Sequence, residues 1–134
     1  MSSADRRIGF FNMAQYQHLP IYKDAMDFII LLENSSNKMS KLHKYGIGEE
    51  LRKKSYQVFS LIIRANSVQL KKDILEELRI VLEELKQFLF IAKEIHALPS
   101  FGVYKDLMLK LELVSKQNEG WLKSQKMKSN SQNS

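Results

Sequence analysis

The chain has no cysteine, so it can form neither a disulfide framework nor a metal site built on thiolates. It has two prolines and five glycines in 134 residues, which favours long helices over many short strands. Its longest apolar run, from Phe28 to Leu32, falls far short of the ~20 residues that a membrane-spanning helix needs. The scarcity of these features predicts a helical protein with no membrane partner.

The length and composition are those of one folded domain. Hydrophobic residues make up 44% of the chain and charged residues 27%, which is ordinary for a globular protein. The apolar stretch after Arg7 ends at Asn12, too early for the apolar core of an export signal. We therefore expect a cytoplasmic protein.

Four segments place apolar residues at the spacing of one helix face. The first begins at Pro20, which suits a first helical turn, and the second begins at Gly48. The third holds the spacing for three heptads until Pro99 ends it, and Leu75, Leu82 and Leu89 widen its stripe. The fourth runs from about Phe101 to Lys123. The stripes are Ile21, Ala25, Phe28 and Leu32; Leu51, Ser55, Val58, Ile62 and Ala65; Ile74, Leu78, Val81, Leu85, Phe88, Ala92 and Ile95; and Tyr104, Leu107, Leu111, Val114 and Trp121.

This pattern predicts an all-α protein, an antiparallel up-down-up-down four-helix bundle over residues 20–124. Residues 1–19 form an N-terminal extension. The polar stretch "NSSNKMSKLHKYG" before Gly48 is typical of a turn. Residues 125–134 are polar and of low complexity, which predicts a disordered basic tail.

The stretch "GIGEELRKKS" superficially resembles a phosphate-binding loop, but it lacks the required lysine after its glycines and follows no strand. Glu49 and Glu50 occupy the first turn of the second helix, where they favour the helix dipole and repel a phosphate. A nucleotide-binding loop is excluded.

Positive charge is concentrated around the second helix. Between Lys38 and Lys72 there are nine positive residues and two negative ones, a net charge of +7, whereas the rest of the chain sums to −1. These residues are the candidate nucleic-acid contacts: Lys38, Lys41, Lys44, Arg52, Lys53, Lys54, Arg64, Lys71 and Lys72.

Two interpretations of this concentration stay open. One is a solvated helix face, which charge runs usually are; the other is a track for a polyanion. Lys53, Gln57, Ser60 and Arg64 share one polar face of the second helix. The third helix alternates glutamate with lysine and arginine, whereas the second has no such balance, and this contrast favours the polyanion track.

The sequence does not predict an enzyme, a metal site or a cofactor. Its histidines, His18, His43 and His96, are scattered, and none pairs with another at helical spacing. Glu94 and His96 are two residues apart and point in different directions on a helix, unlike the Glu-x-x-His ligands of di-iron bundles.

The first, third and fourth helices carry more apolar residues than one core face requires. The excess is explained either by a wide core with a few exposed apolar residues or by self-association, which we favour because three helices share it. The predicted oligomer-interface residues are Ile30, Leu31, Phe90, Ile91, Leu109 and Leu113.

Several short motifs, in this order, resemble a family of bacterial four-helix-bundle proteins. They are "LPIYKDAMDF", Lys41, "GIGEELRKKS", "IRAN" followed by Lys71, "IAKEIHAL" and "GWLKS", and together they span Leu19 to Ser124. The family includes proteins encoded in intervening sequences of large-subunit ribosomal RNA genes and accessory variability proteins of diversity-generating retroelements. Because "MAQYQHLPIY" is similar to the start of such proteins, translation from either Met1 or Met13 stays open.

The resemblance implies a barrel-like homopentamer. In the retroelement branch it also implies a basic surface that binds RNA or DNA and an association with the element's reverse transcriptase and template RNA, without polymerase activity in this chain. The matched residues that carry positive charge are Lys41, Arg52, Lys53, Arg64 and Lys71. The expected function is that of a nucleic-acid-binding accessory protein of a retroelement. The alternatives are an intervening-sequence protein of unsettled role and a protein–protein scaffold that binds no nucleic acid.

Overall fold

The computed structural model describes residues 19–133, with side chains through Lys128. Residues 1–18, nearly all of the predicted N-terminal extension, lie outside the described residues. Within residues 19–133 the chain forms α1 (Pro20–Ser36), α2 (Lys41–Tyr45), α3 (Ile47–Ser67), α4 (Lys72–Glu94) and α5 (Phe101–Asn133). Residues 19–133 contain no strand, and the predicted all-α class is confirmed. No helix in this part of the chain has the length and apolarity to cross a membrane.

The apolar stripes predicted for α1 and α3 form the core. Pro20 opens α1 at a position where its missing N–H costs no hydrogen bond, and every predicted stripe residue of α1 and α3 is buried. Complete burial of one leucine, such as Leu32 or Leu51, contributes about 1.5–3 kcal/mol of transfer free energy. These two helices therefore follow directly from the spacing of their apolar residues.

In α4 the buried stripe is centred differently from the prediction. Leu75, Leu82 and Leu89 are completely or almost completely buried, whereas Ile74 and Phe88 are only partly buried. Ile95 lies beyond the helix and is exposed. The reason is that α4 packs against both α3 and α5, so its leucines face the space between these neighbours. Phe88 consequently lies on the α3 side, beneath the ammonium of Lys54.

Each of the four long helices packs against two others: α1 against α3 and α5, and α4 against α3 and α5. Contacts between α4 and α5 show their relative direction. Arg79 pairs with Glu119 and Lys86 with Glu112, so residue numbers rise along α4 while they fall along α5. These two helices are therefore antiparallel.

Two features differ from the sequence predictions. The stretch predicted as a turn contains α2, and Ser40 caps the start of this helix, since its hydroxyl accepts a hydrogen bond from the His43 N–H at 3.4 Å. In addition, α5 remains helical through Asn133, whereas disorder was predicted from Gln125. No proline or glycine follows Gly120, so the local sequence contains no residue that terminates a helix.

The end of α4 is closed by a Schellman motif. The Ala97 N–H donates to the Ala92 carbonyl at 2.8 Å, and the His96 N–H donates to the Lys93 carbonyl at 3.0 Å. His96 holds the left-handed conformation, with φ of 58°, that this motif requires. Glycine usually occupies this position because a side chain strains it.

Replacing His96 with glycine should therefore stabilise the protein. The relief of left-handed strain outweighs the extra entropy of glycine in the unfolded chain by up to about 1 kcal/mol, which raises Tm by a few degrees. Thermal unfolding followed by circular dichroism measures the change. His96→Val is the control and should lower Tm, because a β-branched side chain is poorly tolerated there. A lower Tm for the glycine variant would contradict the strain argument.

Candidate nucleic-acid interface

The polar stripe predicted on α3 is exposed. Lys53, Gln57, Ser60 and Arg64 all face solvent along a helix of 21 residues, about 31 Å long. Arg64 forms no ion pair with any residue in the described part of the chain. A charged partner can therefore reach this stripe along its full length.

Further exposed cations lie at the two ends of α3. Lys38 and Lys41 belong to the connection and short helix that precede α3, and Lys72 begins α4 directly after it. Within residues 19–128 none of these three side chains forms an ion pair. Lys44 is half-buried, with its ammonium 6.0 Å from the ring centre of Tyr45. Together with α3, these residues extend the positive surface over both ends of the helix.

Arg52 does not belong to this open surface. Its Nη2 donates to the Lys44 carbonyl at 3.0 Å, which satisfies the C-terminal end of α2. Its Nη1 is buried close to Gly48. A side chain at Gly48 would place a Cβ only 2.9 Å from both the His43 carbonyl oxygen and the Met39 sulfur. Arg52 and Gly48 therefore hold the α2–α3 junction together.

Lys54 is also used within the fold. Its ammonium lies 2.6 Å from a carboxylate oxygen of Glu84 on α4 and 4.9 Å from the ring centre of Phe88. Only 17% of its side chain is exposed. Its charge joins α3 to α4 and is largely neutralised.

Lys71 caps the C-terminal end of α3. Its ammonium donates to the Ala65 carbonyl at 2.7 Å and to the Val68 carbonyl, and it lies 5.7 Å from the ring centre of Trp121. Partial burial lowers the pKa of this amine, and the nearby positive charge of Lys128 lowers it further. Lys71 therefore secures the α3–α4 turn.

Acidic residues from other helices also reduce the positive charge along α3. Besides Glu84, the fold brings Glu33 of α1 to α3, where its carboxylate accepts a hydrogen bond from the Tyr56 hydroxyl at 2.9 Å and raises the pKa of Tyr56. Lys53 lies 3.7 and 3.8 Å from Glu49 and Glu50, in pairs too exposed to be strong. The net charge counted along the sequence overestimates the charge of this surface.

The structure brings Lys128, which the sequence analysis had assigned to a disordered tail, close to the end of α3. Lys126 and Lys128 are exposed on the last turns of α5. Lys128 and Gln125 line a depression of about 510 Å³ together with residues 66–69 and Lys71. The signal that could have placed them is the lack of a helix-breaking residue after Gly120.

The predicted interface residues divide between separate parts of the surface. Ile30, Phe90, Ile91, Leu109 and Leu113 are exposed, and Leu31 is half-buried. Leu31, Leu109 and Leu113 line one depression between α1 and α5, whereas Phe90 lines another with Tyr104 and Met108. The surface therefore offers two apolar areas to a partner.

Residues that could hold a metal ion do not converge in the described part of the chain. Of the histidines, His43 lies in α2 and His96 follows α4, while His18 lies outside the described residues. No group of three histidine or acidic side chains suitable for a metal ion occurs within residues 19–133. The basic surface around α3 is thus the candidate site that the residues define.

In comparisons with known proteins, no protein-family model matches the chain, and no curated protein sequence is significantly similar to it.

The different roles of Lys71 and Lys72 can be separated by mutation. Lys71→Met should lower the free energy of unfolding by about 1–2 kcal/mol, because the carbonyls at the end of α3 lose a charged donor. Lys72→Met removes the same charge from an exposed position and should leave stability nearly unchanged. Urea denaturation measures both. Equal stability of the two variants would show that the capping contacts of Lys71 contribute nothing.

Proposed function

We propose that this protein binds the phosphate backbone of RNA or DNA as a cytoplasmic accessory protein of a diversity-generating retroelement, associating with its reverse transcriptase and template RNA. The proposed architecture is an antiparallel up-down-up-down four-helix bundle that assembles as a homopentamer. The retroelement, the reverse transcriptase and the pentamer rest on the family resemblance of the sequence motifs. Nucleic-acid binding rests also on the residues themselves.

The observation that carries nucleic-acid binding is the set of exposed cations along α3 and at its two ends. Clustered lysine and arginine side chains bind a polyanion because they release its condensed counterions. The proposed contacts, which we call the basic surface, are Lys38, Lys41, Lys44, Lys53, Arg64, Lys72 and Lys128. This set leaves out Arg52, Lys54 and Lys71, because their side chains already form contacts within the fold.

The chemistry of this surface favours backbone contacts over base recognition. Lysine predominates, and a lysine ammonium acts on phosphate as a point charge without the bidentate geometry with which arginine reads guanine. Phosphate contacts position a protein on nucleic acid but carry little sequence information. The proposed binding is therefore strong in low salt and weakly selective for sequence.

Charge reversal at the two ends of the basic surface tests the proposal. Log affinity should fall linearly with log salt, by roughly 0.7–0.9 for each phosphate neutralised. Lys41→Glu combined with Arg64→Glu should weaken binding and reduce the slope by about two contacts. Fluorescence anisotropy with a labelled single-stranded RNA and a DNA duplex of 20 base pairs measures both quantities.

The matched control is Lys105→Glu combined with Lys116→Glu. Both lysines are exposed on α5, whose main packing partners are α1 and α4, and neither forms an ion pair among the described residues. This pair changes the net charge equally and should cost much less affinity. Equal losses would mean that only overall charge matters, and unchanged binding in both variants would favour the protein–protein scaffold.

Gene context separates the two branches of the resembling family. A neighbouring reverse transcriptase gene with paired variable and template repeats would support the retroelement function. A position within a ribosomal RNA gene would instead support an intervening-sequence protein. Neither arrangement depends on the outcome of the binding experiment.

Self-association is supported by exposed apolar side chains on α1, α4 and α5. In light scattering we expect a mass of about five times the 15.7 kDa chain. Phe90→Glu should dissociate the oligomer, because an unpaired carboxylate would be buried in the contact. Leu70→Glu is the control: Leu70 is 91% exposed but lies in the α3–α4 turn, outside the proposed contact. A monomeric parent protein would refute the interface.

A further inference from the structure

A depression at the C-terminal end of α3 gathers positive charge without a carboxylate. Its volume is about 510 Å³, within the usual range for ligand pockets. Lys71 of the α3–α4 turn and Lys128 of α5 both line it, and residues 66–69 and Gln125 complete the lining. Among these described residues none is acidic, so the two lysines give the depression a formal charge of +2.

The two lysines lie close enough to repel each other. Partial burial lowers the pKa of the Lys71 amine, and the positive charge of Lys128 lowers that pKa further. Neither ammonium forms an ion pair with a carboxylate among the described residues. Two like charges in one depression are unfavourable unless an anion lies between them. An anionic ligand would therefore remove a repulsion that the fold otherwise retains.

Lys71 can contact a ligand while it caps α3. An ammonium has three N–H donors, and the Ala65 and Val68 carbonyls accept two of them, which leaves one for a ligand. The charge of Lys71 also offsets the negative end of the α3 dipole, which would otherwise repel an anion. The side-chain amides of Asn66 and Gln125 add N–H donors to the lining. The depression thus combines two positive charges with neutral donors.

A phosphate monoester matches this combination better than a phosphodiester or a carboxylate. Near pH 7 a phosphate monoester carries a charge of about −1.5 to −2 and presents three strong acceptor oxygens. A phosphodiester or a carboxylate carries a single negative charge and would neutralise only one of the two ammonium groups. The lining therefore favours a phosphate at the end of a molecule over one within a chain.

The depression continues the exposed stripe of α3. Ser67 lines it and lies three residues after Arg64, so the two residues are neighbours on one face of the helix. Lys128 belongs both to the depression and to the basic surface. A nucleic-acid strand that follows the basic surface would thus reach the depression where α3 ends.

We propose that this depression binds the terminal phosphate of a nucleic-acid strand, with Lys71 and Lys128 as its charged contacts. The inference rests on the proposed nucleic-acid binding, which does not itself require a strand end. A free mononucleotide or a phosphoserine in a peptide offers the same phosphate chemistry. Continuity with the basic surface favours the strand.

Short single-stranded DNAs that differ only at their ends test the site. A strand with a phosphate at its 5′ or its 3′ end should bind about tenfold more tightly than the same strand with two hydroxyl ends, as expected for one charge-assisted hydrogen bond. A strand that is one nucleotide longer but has no terminal phosphate controls for the added charge and should gain little affinity. Fluorescence anisotropy measures these affinities.

The chain also contains a reporter at the site. Trp121 is its single tryptophan, and the centre of the indole ring lies 5.7 Å from the Lys71 ammonium. With unlabelled strands, tryptophan fluorescence should change more for the phosphorylated strand than for the hydroxyl-ended one. This measurement places the terminal phosphate near Lys71 without a substitution.

Lys128→Gln should abolish the preference for a terminal phosphate. Lys126→Gln is the matched control, because Lys126 is exposed on the same helix but does not line the depression, and it should retain the preference. Both positions are exposed, so we expect both variants to fold, and thermal unfolding checks this. An unchanged preference in Lys128→Gln would overturn the site.

The strands also separate this inference from the proposed function. Equal affinity of the unmodified protein for phosphorylated and hydroxyl-ended strands would overturn the terminal-phosphate site and leave the basic surface intact. Absence of binding by every strand would overturn both. Adenosine monophosphate or a phosphoserine peptide that binds as tightly as the phosphorylated strand would overturn the strand end as the source of the phosphate.

Discussion

The leucine side chains of α4 are the constraint on which the arrangement of the other helices depends. Leu75, Leu82 and Leu89 are buried between α3 and α5, and each contributes about 1.5–3 kcal/mol of transfer free energy. Their position determines which α4 residues reach each neighbour. Glu84 lies toward Lys54 on α3, while Arg79 and Lys86 lie toward α5. The placement of charges at both helix pairs thus follows from the packing of apolar side chains.

The fold uses its positive residues in two physically different ways. Arg52 and Lys71 supply hydrogen bonds to carbonyls at helix ends, where the helix dipole also favours a cation. Lys41 and Arg64 remain exposed, and their charge is available to a polyanion. Net charge alone does not distinguish these uses, since both kinds of residue count equally. The distinction explains how one basic segment can both stabilise its turns and keep part of its positive charge exposed.

Much of the fold could be predicted from residue spacing, because burial of one helix face imposes a period of 3.6 residues. Residue spacing correctly predicted the buried faces of α1 and α3. In α4 two overlapping apolar stripes share Leu78, Val81, Leu85 and Ala92, and only the positions of the neighbouring helices select between them. The exposed stripe of α3 was also predictable, whereas the roles of Arg52, Lys54 and Lys71 were not. Their partners come from separate turns or another helix, and a one-dimensional pattern does not specify which groups meet in space.

The tight contact at Gly48 also limits how the sequence can change. Any larger residue there would push against the His43 carbonyl, a backbone atom that cannot move without shifting α2. Such a shift would carry Lys41 with it and alter its distance from Arg64 at the far end of α3. A substitution at Gly48, a buried residue that carries no charge, would therefore change the spacing of charges on the surface. Residue volume at position 48 could in this way adjust the span of the exposed charges along α3, while every lysine and arginine is retained.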